Sequence, residues 1–329
     1  MSFEQLQQFN NLDLIGGQNN LIAMTWLQSL SETSRQMSLK SSKAFQTKGD
    51  VLTPTAALIQ LNGLIKTTQP MIQGNYAPPL NSLSNEFAVT KEAHFLFVKI
   101  NQILMQHGWF DILEINQHPH KQPIYSILDQ LWNEIRGYSI SGEAESDAKK
   151  RKKLMAEQTR ENTRIASRLL TTHANILMTR ISYFISTTAN TGQLEVNEIE
   201  KAIVKLKSKL INELQQLNQE KLLCVQWRIQ KTLYGQYYLN MLVYHANQHQ
   251  LQLPTDQNLL SHALDKDGQQ VIQLDLSQVF TNTVKIERDN FQGINLAEWK
   301  VIFNSMLYPV KYYYYQSKVI SAKFEYIVY

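Results

Sequence analysis

Between Asp147 and about Thr187 the chain contains neither proline nor glycine, and from Glu195 to about Gln250 it again contains no proline. Proline removes a backbone donor and breaks helices, so two such stretches permit long uninterrupted helical runs. The apolar spacing points the same way. In the first stretch Leu154, Ile165, Leu169, Ile176 and Tyr183 mark one side, interrupted by Gln158 and Asn162. In the second, Val196, Ile199, Ile203, Leu206, Leu210, Leu214 and Leu217 recur by three and four residues, as a coiled-coil seam does. The register then shifts, and Val225, Ile229, Leu233, Tyr237 and Met241 continue at wider spacing, with Gly235 marking a bend. The turn Ala189-Asn190-Thr191-Gly192 joins the two runs and requires them to lie antiparallel. At about 1.5 Å per residue they would reach roughly 60 and 80 Å. A long antiparallel helical hairpin within residues 138–250 is the expectation.

The flanking regions read differently from each other. From about Asn20 to Gln46, Leu21, Met24, Leu27, Leu30 and Met37 share a helical face. Thr53 and Pro54 supply a cap and a first-turn proline for a second helix ending at Pro70, and Gly74 and Pro78-Pro79 mark a loop. Thr90 caps a third helix that Gly108 interrupts, Trp109 to Gln117 continue it briefly, and Ile124 to Ile135 form a fourth with Gly137 as its stop. Beyond Pro254 the period becomes two. Val271, Gln273 and Asp275 alternate with Ile272, Leu274 and Leu276 after the turn Asp267-Gly268, and Thr283 to Arg288 are placed as a pairing strand. A short helix over Leu296 to Met306 precedes two aromatic strands broken near Gln316-Ser317. The expected fold class is therefore mainly α: a helical bundle with a long antiparallel helical hairpin and a small C-terminal α+β, strand-rich tail. Its regions are residues 1–137, 138–250 and 251–329.

Composition narrows the functional classes. A chain of 329 residues buries a sizeable core without covalent staples, and its single cysteine, Cys224, forms no intramolecular disulfide. The opening MSFEQLQQFNNLDLIGG lacks a basic start and an unbroken apolar core, and no apolar run approaches the ~18 residues of a membrane span. A cytoplasmic location is expected, with export by a route needing no signal peptide left open. The net charge of +4 is too mild to argue for nucleic acid by itself.

Position matters more than total charge. The run KKRKK opens the first long helix, and Lys149, Lys153, Arg160, Arg164 and Arg168 fall within about a quarter turn of one another at 100° per residue. Such a stripe suits an anionic partner: phosphates, lipid headgroups or an acidic protein surface; it is also what a solvated helix face looks like. His107, Asp111, Glu114 and His118 are spaced by four, three and four, a pattern that would align two imidazoles and two carboxylates for a metal on an unbroken helix. Gly108 and Pro119 count against that helix, and these residues equally serve as the polar face opposite Trp109, Phe110, Ile112 and Leu113. No metal is expected. Cys224 lies in the apolar run LLCVQW, where a buried thiol is inert. The rings of Tyr312 to Tyr315 alternate sides on a strand, which favours packing or an interface over base stacking.

No phosphate-cradling glycine loop, nucleophile elbow, HExxH, CxxC or EF-hand pattern occurs, so no catalytic residue and no cofactor is assigned. The leading expectation is a non-enzymatic interaction or assembly protein acting through long helices and an aromatic C-terminal sheet, with a protein partner or a second copy bound. Trp227, Tyr234 and Tyr238, together with Phe324 and Tyr326 of the alternating C-terminal segment, are the candidate interface. A nucleic-acid role through the basic stripe, a membrane-acting helical toxin, and an enzyme assembled from distant segments are the alternatives.

Overall fold

The structure, a computed structural model, describes residues 16–39, 43–73, 87–107, 112–119, 121–187, 195–246, 250–254, 272–291 and 294–329. The chain divides into two compact units. One, the N-terminal unit, comprises Ile22–Lys153 and Lys311–Tyr313; the other, the sheet unit, comprises Met1–Leu21, Leu154–Val310 and Tyr314–Tyr329.

The N-terminal unit is mostly helical. It contains most of α1 (Gly17–Leu39), a hairpin of β1 (Phe45–Lys48) and β2 (Val51–Pro54), α2 (Ala56–Gln73), β3 (Phe87–Val89), α3 (Lys91–His107), α4 (Lys121–Ser139) and the start of α5 (Gly142–Thr172). Its core comes from the apolar stripes of these helices: Leu27, Leu30, Leu96, Ile100, Leu128 and Ile135 are fully buried, and Trp26 meets Phe97 edge to face at 5.5 Å. The middle cation of the KKRKK run belongs to this packing. Arg151 is 5% exposed, donates Nε to Asp147 (3.0 Å), and donates a guanidinium N–H to the Ala88 carbonyl (3.0 Å).

The sheet unit is built on five antiparallel strands in the order β7-β4-β6-β5-β9. These are β4 (Asn175–Thr187), β5 (Leu222–Lys231), β6 (Tyr237–Ala246), β7 (Ile272–Glu287) and β9 (Glu325–Val328). The hairpin between β5 and β6 closes over Thr232–Gln236, where Gly235 takes φ +87°, a left-handed conformation that costs glycine nothing. Gly16 abuts this turn so closely that a Cβ there would stand 2.6 Å from the Thr232 methyl, and Asn20 accepts the Leu233 N–H at 3.1 Å.

Both sheet faces are covered. On one, α5 and α7 (Ile294–Leu307) pack Ile165, Leu169, Trp299 and Phe303 against Met178, Cys224, Leu242 and Tyr244. On the other lies α6 (Val196–Asn218), with Ile203, Leu206, Leu210 and Leu214 buried and Lys207 placed 4.7 Å from the Trp227 ring. A sheet enclosed this way shows strands buried on both sides: every residue of β5 is buried.

This architecture corrects the expected fold class. The protein is a mixed α+β molecule with a five-stranded antiparallel sheet, not a mainly α bundle with a small strand-rich tail. The long helical hairpin does not form. Among the described residues of 147–250, α5, α6 and a single short turn of helix over Gln219–Lys221 are helical, and residues 175–187 and 222–246 supply three central strands. Two physical reasons explain the misreading. A spacing of four fits both periods, so Val225, Ile229, Tyr237 and Met241 share one sheet face as readily as one helix face. And strands buried on both sides lose the polar alternation that separates them from a buried helix. The segments placed as two strands, near 271–276 and 283–288, are one strand, β7, whose pairing with β4 is interrupted between Ser182 and Phe184.

The two tail strands are likewise not partners. β8 (Tyr313–Tyr315) pairs with β3, whereas β9 pairs with β5. In the N-terminal region α1 ends at Leu39, the β1–β2 hairpin follows, and the helix begun near Pro54 starts at Ala56 and passes through Pro70. The Ala189–Gly192 and Asp267-Gly268 turns lie outside the described residues.

Candidate functional site

Two concentrations of polar chemistry stand out in the sheet unit. The first is interior. Glu200 of α6 is 1% exposed and accepts hydrogen bonds from Tyr315, from Tyr237 (3.4 Å) and from Ser317 (2.5 Å), while Lys231 stands 4.9 and 5.2 Å from the two tyrosine rings. Burial and the Glu200 carboxylate hold the Tyr315 hydroxyl far above the usual phenol range. Ser317 in turn accepts the N–H groups of Val319 and Ile320, both at 2.8 Å. The cluster fastens the segment leading to β9 onto the sheet, so its evident work is structural.

The second lies at the sheet edge. β9 pairs with β5 over only four residues, Cys224–Val328 through Trp227–Glu325, and among the described residues no strand covers its outer side. The Tyr329 N–H bonds inward to the Leu223 carbonyl at 3.0 Å. By the two-residue period Ile327 also points its backbone groups inward, and the N–H and C=O of Tyr326 and Val328 point away from the sheet. Their side chains are exposed too: Tyr326 43%, Ile327 41% and Val328 45%. Edge strands are usually blunted by lysine, proline or a bulge. β9 is short and carries Glu325, but no lysine or proline.

Between β9 and the C-terminal half of α5 runs a cleft of about 260 Å³. Ile165, Leu169, Leu223 and Val328 give it an apolar floor, and Arg164, Arg168, His173 and Tyr326 give it a polar rim. The site exists because α5 leans its apolar side on the sheet while its basic side stands at the margin. Arg288 keeps the helix end closed by donating to the carbonyls of Leu170 (2.5 Å) and Thr171 (3.1 Å), groups otherwise left without partners. Arg164 pairs with Glu161 at 3.0 Å, and the Tyr326 hydroxyl reaches the same carboxylate at 3.5 Å. Among the described residues no carboxylate reaches Arg168.

The structure distributes the sequence candidates unevenly. Of the basic stripe, Arg164 and Arg168 line the cleft and Arg160 is exposed on α5 in the same unit; Lys149 and Lys153 are exposed in the N-terminal unit, where Lys149 pairs with Glu145 at 2.6 Å. Of the aromatic candidates, Tyr326 is at the cleft and Tyr234 is exposed in the β5–β6 turn. Phe324 is half-buried against Phe303 at 5.0 Å, Tyr238 is fully buried, and Trp227 is buried with its N–H donated to Glu325 at 2.9 Å. His107 ends α3, Glu114 is exposed in a separate short turn of helix over Ile112–Gln117, and Asp111 lies outside the described residues. His118 is half-buried. No group of three or more metal-ligating side chains occurs among the described residues. Cys224 is buried, and burial pushes its thiol up to about 12, as an inert core cysteine requires.

Sequence reasoning missed Ile165 and Leu169 as cleft floor, because they belonged to a presumed hairpin seam, and it missed His173. The alternation of Phe324, Tyr326 and Val328 was the one signal of the edge. Compared with protein-family models, curated proteins and solved structures, the chain matches none. Among the described residues no helix is long and apolar enough to cross a membrane.

Proposed function

We propose that this is a non-enzymatic interaction protein that takes up an extended segment of a partner as an added strand on β9, in a reducing cytoplasmic setting. One observation carries the reading: the sheet ends in an apolar strand, exposed at every residue, whose backbone groups at Tyr326 and Val328 point away from β5 beside a ready-made cleft. Strand addition draws its affinity from such main-chain groups and its specificity from adjoining pockets. The expected helical hairpin plays no part in this reading; of the long helices, α5 contributes one wall of the cleft.

The test separates the outward edge from the inward one. Proline at Val328 removes an outward donor and leaves the β5 ladder intact, whereas proline at Ile327 removes an inward donor. Displayed random peptides of about ten residues, selected on the intact chain, should yield β-prone binders. Their binding should be lost in Val328→Pro with the melting temperature nearly unchanged. Binders indifferent to Val328→Pro would contradict the reading.

A further inference from the structure

We infer that the cleft selects an extended peptide carrying carboxylates at alternate positions, an inference that rests on the strand-docking reading above. In an added strand, alternate side chains face α5 and the others face the opposite side of the sheet. Arg164 and Arg168 lie one turn apart on α5, about 6 Å along its axis, and two residues of a strand advance about 6.8 Å. Carboxylates two residues apart on the incoming strand therefore match the two guanidinium groups in spacing. Arg164 already holds a carboxylate, that of Glu161 at 3.0 Å, which shows the chemistry this margin accepts. The intervening residues of the partner fall beside Ile327, exposed on the other face, and are best apolar and β-branched.

A second copy of the chain fits less well. Pairing β9 with β9 about a two-fold axis perpendicular to the sheet keeps both copies of α5 on the same face, so the two arginine rows confront each other across the joint. The face of β9 turned toward α5 carries Tyr326 and Val328 and no carboxylate of its own, since Glu325 is on the opposite face with Trp227, and Glu161 offsets only Arg164 of each pair.

The probe is a fluorescein-labelled Thr-Val-Glu-Val-Glu-Val-Glu-Thr peptide, capped at both ends and titrated into the intact protein by fluorescence anisotropy. It is compared with its lysine-for-glutamate counterpart and with a version N-methylated at alternate backbone nitrogens. The glutamate peptide should bind roughly tenfold tighter than the lysine peptide, the sum of two exposed ion pairs and the repulsions that replace them. The double variant Arg164→Glu, Arg168→Glu should reverse that order. Both positions are exposed on a helix, so the variant's circular dichroism should match the parent. Equal binding of glutamate and lysine peptides, abolished by N-methylation, would leave strand docking standing and overturn the acidic partner. Failure of all peptides would overturn both. Displacement of the glutamate peptide by oligothymidylate with steep salt dependence would also overturn the inference, assigning the arginines to phosphate instead.

Discussion

The interior residues of the sheet unit make the most direct energetic predictions. Trp299 is fully buried, stacks on Phe303 at 5.6 Å and donates its N–H to the Tyr244 hydroxyl at 3.0 Å. Trp299→Ala opens a large cavity and removes the indole donor from that hydroxyl, which keeps its bond to Gln226 at 3.5 Å, so a loss of about 3–5 kcal/mol is expected by urea denaturation. Glu200→Gln keeps the volume but exchanges an anionic acceptor of three hydroxyl donors for an amide, and should cost about 1–3 kcal/mol in the same measurement. Alkaline behaviour follows mainly from a buried thiol and buried phenols, whose upward shifts outnumber the opposing downward shifts that burial gives Lys207 and Lys311. Burial raises the Cys224 thiol from 9.0 to about 12 and the Tyr138 hydroxyl from 10.0 to about 12, and it raises Tyr183, Tyr244 and Tyr315 as well. A folded pKa above the unfolded one means the native state holds its proton longer. The stabilisation is complete below the unfolded value and is lost as pH rises through the folded one. The urea midpoint should therefore hold level near pH 8 and fall steadily above pH 9 to 10.

At the scale of elements, helices with one wet face were legible and enclosed strands were not. α4 shows Ile124, Leu128, Leu131, Trp132 and Ile135 buried at the spacing the sequence displays, because its other side is polar. β4 and β6 carry apolar and polar residues on both faces. Arg180, Ser182, Asn240 and Gln230 are buried beside Met178 and Leu242, with Ser182 bonded to Asn240 at 2.7 Å and Asn240 to Gln230 at 3.3 Å. A polar residue inside a strand thus read as the wet side of a helix. Of the site, the basic stripe and Tyr326 were visible in sequence. The cleft was not, since it depends on a β5–β9 pairing that joins residues about a hundred positions apart. A strand assignment also differs from a helical one in a measurable way. Replacing Ile181, fully buried in β4, with proline should prevent folding of the sheet unit, because a central strand must donate to neighbours on both sides. Loss of the cooperative denaturation transition would register it.

At the scale of the molecule, the proposed strand docking uses a sheet edge that differs from the sheet's interior: β6 and β5 are buried almost throughout, while β9 is exposed at every residue. Such an edge either meets a partner or invites aggregation, and positive charge beside it favours an acidic partner over self-association. Amide hydrogen exchange resolved by residue tests this most directly. In the isolated protein fast exchange is expected at Tyr326 and Val328 and slower exchange at Ile327 and Tyr329, whose N–H groups face β5. On saturation with the glutamate peptide, protection should appear at Tyr326 and Val328. Slow exchange at those two amides in the isolated chain, or no gain of protection on binding, would contradict strand docking at β9.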